Sequence, residues 1–119
     1  MAQVARKLVL CNMDIGSLGA SAFTPCVQVP NAGTKITVQF KYKLITSPVL
    51  VTLFHSLDGI IYDECQTIDE MPIAIELDVA STSATLFITE LLTSWIRFKV
   101  EKQSSIHGTL EKFIVLFAS

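Results

Sequence analysis

Two histidines, three cysteines and a cluster of carboxylates are the side chains of this 119-residue chain best suited to catalysis or metal binding. His55 stands in the apolar run Pro48–Leu57, with Ser56 and Asp58 close by. Ser, His and Asp are the residue types of an activated-hydroxyl nucleophile, which needs the imidazole held between hydroxyl and carboxylate. In an extended strand successive side chains point to opposite faces, so His55 and Ser56 are expected to part. His107 falls in a turn beside Gly108. No catalytic residue is assigned, and the chain reads as a non-enzyme.

Cys11, Cys26 and Cys65 are far apart and have no CxxC spacing. A structural zinc site takes four ligands, commonly in closely spaced pairs. The three thiols read instead as reduced, small hydrophobic core groups made in a reducing compartment. Asp63, Glu64, Asp69 and Glu70 surround the segment Gln66–Met71 without the oxygen-ligand spacing of a calcium loop, and read as a solvated acidic loop. Neither GxxxxGK[ST] nor GxGxxG occurs, so a phosphate cradle is not expected. The expectation is therefore no metal and no cofactor.

Trp95 and Arg97 share one strand parity, and with Tyr62 they form the candidate set for stacking on a sugar ring. Trp95 and Arg97 are equally the types enriched at protein interfaces. The simpler arrangement has the tryptophan covering a sheet edge with the arginine stem lying along it.

The elements that must position these residues are strands. In Thr34–Ile45, Ile36, Val38, Phe40, Tyr42 and Leu44 alternate with Thr37, Gln39, Lys41 and Lys43, the period of a strand with one wet face. Trp95–Lys102 and Ile73–Val79 alternate in the same way. Pro48–Leu57 and Phe113–Ala118 are nearly continuous apolar runs, expected as central strands or as strands whose outer face meets another subunit. Val4–Leu10, Ala22–Val29, Ile60–Cys65 and Ala84–Thr89 complete the set. Asn31–Gly33, Leu57–Asp58–Gly59 and Ser104–Gly108 supply turns, and Asp14–Ser21 is the longest loop. Glu90–Ser94 is the one helical candidate, a single turn. Eight or nine short strands without an amphipathic helix predict one all-β domain over residues 1–119, an antiparallel β-sandwich of jelly-roll type.

Half the residues are hydrophobic and 17% are charged, with a formal net charge of −2. The basic residues are scattered, with none of the dense face that phosphate backbones demand, so no nucleic-acid partner is expected. No apolar run reaches membrane-spanning length and the N-terminus lacks a signal-peptide pattern, so the chain is expected to be made in the cytosol without a membrane partner. The apolar surplus points to protein neighbours.

Three segments taken in order, Ala20–Val29 (ASAFTPCVQV), Val51–Tyr62 (VTLFHSLDGIIY) and Trp95–Lys102 (WIRFKVEK) with the final apolar strand, resemble the small β-sandwich virion proteins of tailed bacteriophages. The resemblance spans nearly the whole chain. It implies a structural subunit of the virion, an auxiliary capsid or head–tail component, contacting major capsid or head–tail proteins and copies of itself, and made in the host cytoplasm. The expected interface residues are Asp14, Leu18, Leu57, Ile60, Ile61, Trp95, Phe113 and Phe117. The S-x-D-G hairpin is similar also to that of discoidin-like and other carbohydrate-binding jelly rolls, which keeps a sugar-binding module as the alternative. Tyr62 stands where many such relatives carry tryptophan.

Overall fold

The computed structural model describes residues 5–9, 13–14, 21–29, 34–66, 71–91, 93–102 and 108–118. The strands are β1 (Ala5–Val9), β2 (Met13–Asp14), β3 (Ser21–Phe23), β4 (Val27–Gln28), β5 (Thr34–Lys43), β6 (Val49–Ser56), β7 (Asp63–Glu64), β8 (Ala74–Leu77), β9 (Ser83–Leu91), β10 (Trp95–Lys102) and β11 (Thr109–Ala118). All pairings are antiparallel. One sheet runs β1-β11-β5-β9, with β2 also on β11; the other runs β3-β10-β6-β7, with β4 also on β10 and β8 also on β6.

The short strands pair off. β1 and β2 share one side of β11, β3 and β4 one side of β10, and β7 and β8 one side of β6. Counted by position, each sheet has four strands, and successive segments cross from one sheet to the other except between β6 and β7. This is the jelly-roll order, two interleaved Greek keys closed into a sandwich. The expected fold class is the one observed.

Alternation explains the core. Ile36, Val38, Phe40 and Tyr42 of β5, Val49, Val51 and Leu53 of β6, Ile96, Phe98 and Val100 of β10, and Phe113, Val115 and Phe117 of β11 are all buried. Burying each such side chain contributes about 1.5–3 kcal/mol. Phe113 joins the layers: its ring centroid lies 4.7 Å from that of Phe40 in its own sheet and 4.9 Å from that of Phe98 in the other. Tyr42 also stitches across, donating its hydroxyl to the carbonyl of Asp78 at 3.1 Å. Desolvation of that phenol raises its pKa.

Local chemistry closes the gaps between pieces. Between β3 and β4 the Thr24 N–H donates to the Phe98 carbonyl at 2.9 Å, and the Thr24 hydroxyl accepts the Phe98 N–H at 3.0 Å. A side chain thus replaces a backbone partner where Pro25 interrupts the strand. After β7, Cys65 donates to the Leu53 carbonyl and accepts from Ile73, which carries the chain back to β6.

Several expectations need correcting. Leu44 does not join the apolar face of β5: it is 76% exposed with φ 60°, and Ile45 is buried in its place. The left-handed residue ends the strand and resets its parity. Glu90–Ser94 forms no helical turn among the described residues. β9 continues through Leu91, and the Thr93 hydroxyl is drawn onto the Ser56 carbonyl at 2.9 Å. Val79, at the end of the Ile73–Val79 alternation, is exposed, because β8 stops at Leu77.

Candidate functional site

β6 ends at Ser56, and two side chains organise the turn beyond it. The Ser56 hydroxyl donates to Asp58 Oδ1 at 2.9 Å and accepts the Gly59 N–H at 2.9 Å. Asp58 Oδ1 then accepts the N–H groups of Ile60 at 2.8 Å and Ile61 at 2.9 Å. These are the self-turning bonds that Ser and Asp make in place of ladder bonds. The N–H groups of Ile61 and Ile60, then the Ser56 hydroxyl, hold the Asp58 carboxyl below the usual carboxylate range.

Gly59 has φ +80°, and a Cβ there would lie 3.2 Å from the Trp95 indole. The turn therefore rests flat on Trp95, the residue opposite Ser56 in the β6–β10 register. The hairpin is wider than the expected tight turn, because His55 pairs with Asp63 across it. Its outer surface is apolar: Leu57, Ile60 and Ile61 are 74%, 82% and 67% exposed.

The loop returns through Tyr62 onto the outer face of β10. The Arg97 guanidinium carbon lies 3.9 Å from the Phe23 ring centroid and 4.3 Å from that of Tyr62. Phe23 meets Phe54 edge-on at 5.3 Å, and Phe54 is directly opposite Arg97. Arg97 Nε and Tyr62 Oη are buried without a hydrogen-bond partner. Burial, with the Cys26 thiol beside it, raises the Tyr62 phenol to about 12.

Of the expected interface residues, the structure gathers Leu57, Ile60, Ile61 and Trp95 into this loop and its platform. Phe113 and Phe117 do not belong with them. Both are core residues, 0% and 2% exposed, because their parity on β11 points between the sheets. The surface-facing apolar residues of that strand are Ile114 and Leu116. Asp14 lies on β2, opposite Thr109, while Leu18 is outside the described residues.

The sugar-stacking set is rearranged as well. Trp95 carries the turn, and one face of Tyr62 meets Arg97. Phe23 and Phe54, which sequence reasoning did not single out, complete the stack; their placement follows from a strand pairing that one chain's pattern does not specify.

His55 and Ser56 part as expected. His55 is opposite the inward-facing Ile96, and Ser56 is opposite Trp95. Both border an open hollow of about 270 Å³ with Leu57, Asp58, Ile61 and Asp63, in which the Ser56 hydroxyl is committed to the turn. Among the described residues no group of three or more His, Cys, Asp or Glu side chains is placed to hold a metal ion. Cys65 is buried, which pushes its thiol pKa up, but Cys26 is exposed, against the expectation of a core group. Cys11, His107, Asp69 and Glu70 lie outside the described residues. No helix is long and apolar enough to cross a membrane among the described residues.

No protein-family model matches this chain, and no curated protein matches it. Among solved structures, the isomalto-dextranase of Arthrobacter globiformis T6 complexed with panose superposes with a TM-score of 0.50 at 12% identity, over 94% of this chain and 23% of that one. Structures of infectious bursal disease virus, strains Gx and Gt, superpose with TM-scores of 0.39 and 0.38 at 7% and 10% identity. They cover 99% and 98% of this chain and 37% and 35% of theirs. The chain thus spans about a quarter to a third of the length of these structures. At these identities the likeness is one of fold.

Proposed function

We propose that this protein is a non-enzymatic structural subunit of a tailed-bacteriophage virion, an auxiliary capsid or head–tail component that works by binding other virion proteins. The observation that carries the reading is the loop tip. Three large apolar side chains stand in water on a turn fixed by the Ser56 and Asp58 hydrogen bonds and seated on Trp95. A rigid apolar protrusion loses little conformational entropy on docking, which favours a protein partner with a matching pocket. Jelly rolls are a common architecture of viral shells, and the segment order resembles that of small phage virion proteins.

Quantitative mass spectrometry of purified particles from the source tests this. The expected result is that the chain is present at a fixed ratio to the major coat protein through successive purification steps. Its loss on purification, or a glycan-array signal abolished by Trp95→Ala, would replace this reading with another.

A further inference from the structure

Each sheet has two outer edges, and three of the four are interrupted or charged. β3 and β4 are broken at Pro25, β7 and β8 are two- and four-residue pieces separated by a stretch containing Pro72, and β1 carries Arg6 and Lys7. Such features keep sheet edges from pairing with other chains. β9 has one of them alone, the charge of Glu90 near its end. It is nine residues long without proline or glycine, its stretch from Ser83 to Thr89 is uncharged, and it has a strand neighbour on one side alone among the described residues.

The direction of its free backbone groups follows from the ladder. Tyr42 donates to the Thr82 carbonyl at 2.9 Å, and the two continue the β5–β9 register by one position. In an antiparallel pair the bonded residues alternate. Thr82, Ala84, Leu86 and Ile88 therefore face β5 with their N–H and C=O groups, while Ser83, Thr85 and Phe87 present theirs to the open edge. Phe87 is 72% exposed on the outer surface, and Ala84 and Leu86 are only partly buried at the rim of the core.

We propose that the β9 edge binds the β9 edge of a second copy of this chain, forming a two-fold antiparallel strand pair centred on Leu86. The segment is complementary to itself in this register. Thr85 and Phe87 of one copy face Phe87 and Thr85 of the other as bonded pairs, an aromatic opposite a β-branched residue on the outer surface. Leu86 meets Leu86 at the half-buried rim of the core, and Ala84 meets the buried Ile88. Glu90 falls opposite Thr82, so no like charges confront each other. The result is a continuous eight-position sheet across the dimer. This contact is separate from the Leu57–Ile61 tip and does not depend on what that tip binds.

Sedimentation equilibrium on the purified chain, with amide hydrogen exchange across a concentration series, tests it. The expected result is a dimer in which the Thr85 and Phe87 amides gain protection as concentration rises. Phe87→Lys should weaken the dimer by at least about tenfold, since two lysines would then flank the dyad. Thr85→Pro should do the same while keeping the fold, because the N–H it removes points away from β5. Ile60→Asp, on the loop tip, should leave the dimer mass unchanged. A monomer at every concentration, or a dimer that persists in both β9 variants, overturns the proposal.

Discussion

The Ser56 hydroxyl donates to Asp58 Oδ1 at 2.9 Å, tying the last residue of β6 to the carboxylate that receives the Ile60 and Ile61 N–H groups. The apolar tip owes its shape to this pair. Since the bonds to Ile61, Ile60 and Ser56 hold the Asp58 pKa low, the carboxylate stabilises the fold fully above the unfolded value of about 3.9, and the contribution is lost as pH falls through the folded value. Thermal unfolding of wild type and Asp58→Asn should therefore differ at neutral pH, the difference shrinking as pH falls below about 4 and vanishing once pH is below the depressed folded value. A difference independent of pH would contradict the assignment.

Gly59→Ala and Gly108→Ala should both destabilise, but unequally. At Gly59 the cost combines positive φ with a 3.2 Å approach to the Trp95 ring, about 1–2 kcal/mol. Gly108 has φ +122°, and a Cβ there would lie 2.8 Å from the Ile45 Cα, a backbone atom that cannot turn aside, so about 3 kcal/mol or more is expected. Trp95, the one tryptophan, reports the difference. Its fluorescence in the folded state should change in Gly59→Ala and stay unchanged in Gly108→Ala.

Phe113→Ala should cost about 3–5 kcal/mol in denaturant unfolding, as it opens a cavity between Phe40 and Phe98. Ile60→Ser should fall within about 0.5 kcal/mol of wild type, because Ile60 is already 82% exposed. Comparable losses at the two positions would mean that the tip is not a free surface.

Lys41 and Lys112 are directly opposite each other and exposed on the outer face of the β5–β11 pair. Like charges facing across strands destabilise, so Lys41→Glu should raise stability by about 0.5 kcal/mol at low salt, with the gain shrinking as salt rises. Equal midpoints at low salt would show that the two side chains splay apart.

These positions also mark how far the sequence can be read. The period-two pattern places Ile36 to Tyr42 and Ile96 to Val100 on the inner faces, because burial on one side of a pleated strand leaves that signature. In Phe113–Ala118 the signal fails. Apolar residues occupy both parities there, so the run does not say which side is core, and an outward Phe113 and Phe117 fit it as well as the buried pair observed. Leu44 misleads for the opposite reason, as one left-handed residue shifts the parity of the residues after it. The turn at Asp58–Gly59 is legible from local chemistry. The Phe23–Arg97–Tyr62 stack and the open β9 edge are not, since both depend on which strands are neighbours.

A docking tip formed by Leu57, Ile60 and Ile61 makes incorporation into particles depend on these three side chains. Particles assembled with the triple variant Leu57→Ser, Ile60→Ser, Ile61→Ser, alongside wild type, would be purified and the chain quantified by mass spectrometry. The variant is expected to fold with an unchanged thermal midpoint, and its incorporation to fall at least about tenfold. Incorporation equal to wild type would contradict it.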